Sequence, residues 1–146
     1  MIKQPVCFDI DGTLTSEHYT DDNLLTLKEN AAMMRVALAL QTERPLVIST
    51  ARPERFRDQT EKWLASHGLT PDAIYMRPND QEDVSDPEIK QNHLESIKEQ
   101  YGNPHVWVDD NDANIAMLKQ NSVPVIHVRS TLLKPMLEFT RVRCRV

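Results

Sequence analysis

Cysteine is scarce in this chain, since Cys7 and Cys144 are the only two among 146 residues. Cys7 lies in an apolar run and Cys144 lies near the C-terminus, which argues against a disulfide framework and fits a reducing compartment, with the cytoplasm as the default. Long apolar stretches are also lacking. None approaches the roughly 20 apolar residues that span a bilayer, and Asp9 interrupts the first apolar run too early for a signal peptide. We therefore expect a soluble protein with no membrane partner.

Basic residues are not in excess either, because 17 Lys and Arg stand against 22 Asp and Glu, for a net charge of −5. Sequence-blind binding along nucleic acid depends on many phosphate contacts, so this balance argues against it and leaves a local phosphate pocket open. The sequence contains neither a Gly-x-Gly-x-x-Gly fingerprint nor a P-loop, which gives no support for a dinucleotide-binding protein or a P-loop kinase. The five histidines lack the spacing of metal ligands, and we assign them no role.

The length fits a single domain over residues 1–146, because 146 residues with 40% hydrophobic content can form one core but not two. Short apolar runs alternate with longer amphipathic ones, which is typical of an α/β fold with a doubly wound parallel sheet and helices on both faces. The predicted strands are 6–10, 45–49, 73–76, 105–108 and 123–128. The predicted helices are 22–40, 55–67, 87–101 and 113–120.

Turn and cap residues bound these elements. The predicted N-caps are Asp21 or Asp22 for the first helix, Asp86 for the third and Asp112 for the fourth, and Gly68 and Gly102 are expected to end the second and third helices. Residues 130–146 form a basic C-terminal extension. We predict a short helix broken by Pro135 there, followed by an edge strand with a solvated basic face, and a nucleic-acid or partner contact is the alternative.

Two apolar runs end in pairs of carboxylates. Asp9 and Asp11 follow the first predicted strand, and Asp109 and Asp110 follow the fourth. In a doubly wound sheet such strand ends meet where the strand order switches, and the paired acids would repel each other unless a cation lay between them. Oxygen ligands without a His or Cys cluster favour magnesium over zinc. The sequence therefore predicts a Mg²⁺ site at this edge.

The string Asp9-Ile10-Asp11-Gly12-Thr13-Leu14-Thr15 resembles the first motif of haloacid-dehalogenase-type phosphatases. The resemblance implies that Asp9 attacks phosphorus to give an aspartyl-phosphate, and that Asp11 acts as general acid and then as general base. Such a division of labour is chemically sensible, because an alkoxide leaving group needs a proton that the nucleophile cannot supply. We expect the bend at Gly12 to turn Asp11 towards the substrate, and we count Gly12 among the substrate-binding residues.

Three further motifs resemble those of the same family, in the same order. Thr50 matches the hydroxyl that bonds the phosphoryl group, and Lys90 matches the lysine that offsets the charge of Asp9, with Lys98 as the alternative. The resemblance implies that Asp109 holds the ion with Asp9 and the backbone carbonyl of Asp11, and that Asp110 helps directly or through water. The motifs span residues 9–112 and leave no room for a cap domain, which implies an open site.

A closer likeness is to the 3′-phosphatase domain of bacteriophage-type polynucleotide kinases, carried by Ser49-Thr50-Ala51-Arg52, Tyr75-Met76-Arg77-Pro78 and Ile89-Lys90. It implies that Arg52 and Arg77 bind the substrate phosphate or its nucleic acid. The chain departs from that pattern at Gln81 and Glu82. Three functions therefore stay open: a phosphatase of 3′-phosphate ends on nucleotides or nucleic acid, a phosphatase of another small phosphate ester, and a phospho-accepting regulatory module. No obligate protein partner is evident.

Overall fold

Five parallel strands form the centre of the fold in the computed structural model, which describes residues 3–129. The strands are β1 (Val6–Phe8), β2 (Leu46–Pro53), β3 (Ala73–Arg77), β4 (Val106–Asp109) and β5 (Val125–His127). Their order in the sheet is β3-β2-β1-β4-β5. The chain thus builds outwards from β1 in both directions, and the switch in strand order lies beside β1, where a doubly wound fold binds its ligands.

Four α-helices cover the two faces of the sheet: α1 (Ala31–Leu40), α2 (Arg57–Ser66), α3 (Asp86–Tyr101) and α4 (Asp112–Gln120). Successive strand side chains point to opposite faces, so Val6 and Phe8 pack into the core on the side of α1 and α2, and Cys7 packs into the core on the side of α3 and α4. The predicted α/β class and doubly wound parallel sheet are confirmed. Residues 3–129 contain no inserted cap domain, as predicted.

The first helix is shorter than predicted. The expectation of a helix over 22–40 with Asp21 or Asp22 as its N-cap is wrong, since α1 begins at Ala31 and Asn30 is the N-cap. Residues 14–16 and 28–30 instead pair with each other, through Ser16 N to Lys28 O at 2.8 Å and Asn30 N to Leu14 O at 2.7 Å. Loop leucines at 24 and 27 are buried, so they mimic a helical stripe without being helical.

Two further N-caps differ from the sequence prediction. Ser85, rather than Asp86, accepts the hydrogen bond at the start of α3, and Asn111, rather than Asp112, does so at the start of α4. Asp86 is free to bind Arg77 instead, with its Oδ1 2.6 Å from Nη2. Gly68 follows His67, the C-cap of α2, with φ +86°, and Gly102 is the C-cap of α3 with φ +88°, in agreement with their predicted positions.

β2 is longer than predicted and contains an irregularity. Its pairing with β3 shifts register between Ser49 and Pro53, where four residues of β2 advance against two of β3. A bulge of this kind bends a strand and redirects its side chains. Thr50 and Arg52 lie in the bulge. The predicted C-terminal helix and edge strand fall at 130–146, outside the described residues. Among residues 3–129 no helix has both the length and the apolar character needed to cross a membrane.

Candidate active site

A cleft of about 430 Å³ opens at the carboxyl ends of β1, β2 and β4. Its lining brings together side chains that are distant in sequence, among them Asp9, Asp11, Arg52, Arg77, Lys90, Asp110 and Asn114. Three of these follow β1 or β4, two come from β2 or β3, and two come from the first turns of α3 and α4. The structure therefore gathers six predicted site residues, together with Asn114, which was not predicted, at the switch in strand order, and Gly12, Thr50 and Asp109 are not part of the lining.

Lys90 lies at the base of the cleft, with a side chain only 1% exposed. Its Nζ donates to Asp9 Oδ1 at 2.9 Å, to Asp109 Oδ2 at 3.2 Å and to the carbonyl oxygen of Ser49 at 2.6 Å. An ammonium has three protons, so these three bonds use its whole donor capacity. Lys90 is the lysine that the structure brings to the carboxylates. Lys98 lies two turns further along α3, exposed to solvent.

The carboxylates carry more negative charge than Lys90 neutralises. Burial, and next the charge of Asp109, raise the pKa of Asp9 well above its usual range, although Lys90 opposes the change. Burial also raises the pKa of Asp110, with a further contribution from Asp109. Burial lowers the pKa of Lys90, but the charges of Asp109 and Asp9 outweigh it and the net pKa is raised. A second cation in the cluster would offset the repulsion between these buried carboxylates.

The donor set suits a hard divalent cation. Asp9, Asp109 and Asp110 each offer a carboxylate oxygen, and these oxygens lie within 4.8 Å of one another. The side-chain oxygen Oδ1 of Asn114, at the same edge, is buried and lacks a hydrogen-bond partner among the described residues. An unpartnered buried oxygen beside clustered carboxylates fits the all-oxygen coordination that magnesium requires.

Asp109 and Asp110 differ in what already surrounds them. Asp109 is fully buried, and its carboxylate accepts from Lys90 Nζ, from the Asn111 backbone N–H at 3.0 Å, and at 3.4 Å from both Trp107 Nε1 and Asn114 Nδ2. Asp110 lines the cleft and has the Thr13 hydroxyl 3.4 Å from its Oδ1. Asp110 therefore has the more available oxygens of the pair.

Gly12 packs against the side chain of Asp110. Its φ is +83°, and a Cβ at this position would collide with the carboxylate of Asp110. Both the left-handed backbone and the close approach require glycine. The turn over residues 10–15 is closed by N–H groups of three successive residues that point at the carbonyl oxygen of Ile10, at 2.8 to 3.1 Å. Gly12 thus fixes how the turn after β1 sits against the end of β4.

Asp11 faces Arg52 across the cleft. Arg52 Nε donates to Asp11 Oδ2 at 2.9 Å and Nη2 donates to Oδ1 at 2.8 Å, which makes a two-point fork. The Arg52 side chain is 0% exposed, whereas that of Asp11 is 23% exposed. Thr50 is buried next to this pair, and its hydroxyl oxygen accepts the backbone N–H of Arg52 at 3.2 Å.

A family comparison identifies this arrangement. A sequence-family model described as the polynucleotide kinase PNKP phosphatase domain matches residues 3–131. The chain belongs to this phosphatase-domain family. A search of curated proteins found no match.

Solved structures share the fold of this phosphatase domain. A chain in a structure of the Pnkp1/Rnl/Hen1 RNA repair complex is 21% identical, with a TM-score of 0.76 and coverage of 87% of this chain and 42% of that one. D,D-heptose 1,7-bisphosphate phosphatase from B. bronchiseptica, complexed with magnesium and phosphate, is 15% identical, with a TM-score of 0.56 and coverage of 84% and 79%. The present chain therefore spans less than half of the Pnkp1-complex chain.

Arg77 lines the cleft of the phosphatase domain, but its donors serve its own chain. Nε donates to the carbonyl oxygen of Ala51 at 2.9 Å, Nη1 donates to those of Gln81 at 2.7 Å and Val84 at 2.5 Å, and Nη2 donates to Asp86. A guanidinium used in this way holds a loop in place. In the structure Arg77 therefore orders the acidic loop before α3, while the substrate contact that the sequence predicts for it stays a prediction.

His93 is a residue of the phosphatase domain that the sequence analysis missed. It lies on α3 one turn after Lys90 and is 6% exposed. Its Nε2 lies 3.0 Å from the carbonyl oxygen of Met76, which can only accept, so Nε2 carries the proton and Nδ1 accepts from the Ser49 hydroxyl at 2.7 Å. His93 thus ties α3 to β2 and β3 beside Lys90. The helical spacing of three residues was the available signal.

The buried His93 makes stability depend on pH. Burial, and next the charge of Lys90, lower its pKa to about 4. The unfolded chain, with a His pKa of about 6.5, binds a proton between these values and the folded chain does not, so stability is lost as pH falls through this window. We expect wild type to lose about 2 kcal/mol through His93 between pH 7 and pH 5 in urea unfolding. The variant His93→Gln should lack this loss of stability, and the control His18→Gln, at an exposed site, should keep it. If the free energy of unfolding changed equally with pH in wild type and His93→Gln, the assignment would be contradicted.

Proposed function

We propose that the chain is a magnesium-dependent phosphomonoesterase that works through an aspartyl-phosphate on Asp9, and that its substrates carry a 3′-phosphate on a nucleotide or nucleic-acid end. The observation that carries the chemistry is the cluster of Asp9, Asp109 and Asp110 beside the buried Lys90, at the base of the cleft that Asp11 also lines. Family membership supports the phosphatase class.

Asp9, Asp110 and the backbone carbonyl of Asp11 would hold Mg²⁺, and Asn114, whose unpartnered Oδ1 belongs to the same cleft lining, would assist directly or through water. When bound, the ion supplies positive charge that offsets the repulsion between a carboxylate nucleophile and a phosphate dianion. Asp109 lies beneath them, where its bonds to Lys90 and to the start of α4 fix the end of β4. The family resemblance implied that Asp109 holds the ion and that Asp110 assists. We assign the direct contact to Asp110 and the supporting role to Asp109.

In the first step an Asp9 oxygen attacks phosphorus, a new O–P bond forms, and the bond from phosphorus to the ester oxygen breaks. Asp11 acts here in its protonated form, in which each oxygen keeps a lone pair to accept from Arg52, and it gives its proton to the departing alkoxide, which leaves as an alcohol. Lys90 stays on Asp9 and offsets the charge that gathers on the phosphoryl group. The Thr13 hydroxyl, 3.2 Å from Asp9 Oδ2, limits how the carboxylate can turn.

In the second step water attacks phosphorus and the bond between Asp9 and phosphorus breaks. Asp11, now ionised, accepts the proton of the water, and inorganic phosphate leaves with Asp9 and Asp11 returned to their starting states. Thr50 is our proposed phosphoryl hydrogen-bond donor, since its hydroxyl proton is not committed to the Arg52 backbone. A phospho-accepting regulatory module would have no need of an acid such as Asp11.

Support for a nucleic-acid 3′ end comes from the family model and from the likeness to a chain found in an RNA repair complex. The open cleft, without a cap, also leaves space for a polymer end. Another small phosphate ester is the second candidate, favoured by the fold shared with a heptose bisphosphate phosphatase.

The test is phosphate release from a 3′-phosphorylated oligonucleotide, its 5′-phosphorylated counterpart, a 3′-mononucleotide and a sugar phosphate, each with magnesium and with chelator. We expect magnesium-dependent release that is fastest from the 3′-phosphorylated substrates. Release from the sugar phosphate alone would keep the chemistry and replace the substrate. A single turnover, with phosphate retained on the protein, would favour the regulatory module.

A further inference from the structure

Arg52 is held on several sides by its own chain. Its Nε and Nη2 fork onto the two oxygens of Asp11, and its Nη1 donates to the Thr60 hydroxyl at 3.1 Å. The ring of Tyr19 lies against the guanidinium, with the ring centre 5.1 Å from Cζ. The side chain is 0% exposed. An arginine in this setting has little freedom to turn towards a ligand.

These contacts conflict with a role for Arg52 in binding the substrate phosphate. A phosphate could take the fork from Nε and Nη2 only if the guanidinium first released Asp11, and the two N–H groups that remain belong to a side chain that is 0% exposed. Asp11 would then lose both of the charged hydrogen bonds that orient it. It is the carboxylate that must give a proton to the leaving group, so the exchange would disturb the acid at the moment when it acts.

We propose that Arg52 is a positioning residue for Asp11, and that it fixes the orientation of this carboxylate for proton transfer instead of binding the phosphoryl group. This inference rests on the proposed function. The fork sets the rotation of the carboxylate plane, Thr60 anchors the fork from α2, and Tyr19 closes it on the side of the cleft. The bulge in β2 brings Arg52 within reach of the turn after β1.

The test uses the dependence of rate on the leaving group. An acid matters most when the departing alcohol is weakly acidic and little when it is strongly acidic. We would measure kcat/KM for a series of aryl monophosphates, from strongly to weakly acidic phenols, with wild type, Asp11→Asn, Arg52→Gln and the double variant. Because kcat/KM covers steps up to the first irreversible one, it reports phosphoryl transfer to Asp9 without the later hydrolysis.

We expect Arg52→Gln to behave as a weaker Asp11→Asn. With weakly acidic phenols both should lose on the order of 10²-fold or more, and with strongly acidic phenols less than about 10-fold, since this is the range that general acid catalysis supplies. The double variant should lose no more than Asp11→Asn alone, because both changes remove the same positioned proton. KM should change little. Equal losses across the series that multiply in the double variant would place Arg52 on the phosphate and overturn the inference.

Two further variants keep the test decisive if Arg52→Gln folds poorly. Arg52→Lys retains the charge but cannot form the fork, so its rates should also fall more steeply with weakly acidic phenols; a wild-type slope would overturn the inference. Arg55→Lys makes the same change at an exposed arginine that does not line the cleft, and it should retain the wild-type slope; a slope equal to that of Arg52→Lys would mean that the effect is not specific to the Asp11 fork and would overturn the inference. A wild type that releases no phosphate from any ester would overturn the proposed function as well. If wild type is active but the rate losses of the Arg52 variants do not depend on the acidity of the phenol, this inference alone is overturned.

Discussion

Asp9→Asn should eliminate turnover, with a loss on the order of 10⁴-fold or more in kcat, which is the scale seen when a covalent nucleophile is removed. An amide oxygen cannot form the acyl-phosphate, and we assign the neighbouring carboxylate of Asp110 to the metal and not to attack on phosphorus. The measurement is phosphate release at saturating substrate with magnesium, together with trapping of phosphate on the protein. Wild type should show a trapped phosphoryl group, and Asp9→Asn should show none.

The same substitution should not unfold the protein. Asp9 has a raised pKa because burial and the neighbouring Asp109 and Asp110 oppose its charge. A carboxylate with a raised folded-state pKa costs stability above its unfolded pKa of about 3.9, so removing its charge relieves the folded state at neutral pH. We expect the melting temperature of metal-free Asp9→Asn to equal or exceed that of metal-free wild type.

Asp112→Asn is the matched control, because Asp112 belongs to the same acidic stretch as Asp110 but its side chain is 92% exposed. Its turnover should stay within a factor of about two of wild type, as expected for a surface change away from the site. Near-normal turnover in Asp9→Asn would refute the nucleophile assignment. A loss in Asp112→Asn equal to that in Asp9→Asn would point to a general effect of negative charge instead of chemistry at Asp9.

Local sequence patterns predict the fold well where the residues of a single strand or helix determine its secondary structure. The apolar runs before Asp9 and before Asp110 end in acids, and parallel strands bring such ends together whatever the loops do. Helix α1 shows the limit. Its predicted N-terminal half contains leucines at helical spacing, but pairing between residues 14–16 and 28–30 takes the backbone into a loop. That pairing is a tertiary contact, and periodicity does not report it.

The same limit applies within the site. Strand ends predicted that Asp9, Asp11 and the Asp109–Asp110 pair converge, and the family resemblance added Lys90. They did not predict that Arg52 forks onto Asp11, because the register shift in β2 that aims it is invisible in the sequence. Nor could they predict which acid of the pair is saturated with donors, since Trp107, Asn111 and Asn114 reach Asp109 only after β4 and α4 have packed.

Lys90→Met should cost both stability and activity. The substitution leaves buried Asp9 and Asp109 without their shared cation, and removing one partner of a buried ion pair costs about 3–5 kcal/mol. Activity should fall at least about 10²-fold, the usual effect of deleting one group that stabilises charge in a transition state. Urea unfolding and phosphate release with magnesium measure the two effects on the same preparation.

Lys98→Met is the control on the same helix, and it also tests the alternative that the sequence left open. Lys98 is exposed in the last turn of α3, where a cation contributes at most about 1 kcal/mol through the helix dipole. We expect wild-type turnover from this variant. If Lys98→Met lost activity and Lys90→Met kept it, the third motif would be misassigned.

The double variant Lys90→Met/Asp109→Asn separates the electrostatic cost from the chemical one. Neutralising Asp109 removes one of the two carboxylates that Lys90 had paired, so part of the lost stability should return. Activity should not return, because Asp9 would still face the phosphoryl group without Lys90. If stability and activity both recover, Lys90 serves only to hold Asp109. If stability does not recover, the cost of Lys90→Met comes from lost packing and from the lost Ser49 contact, and not from unpaired charge.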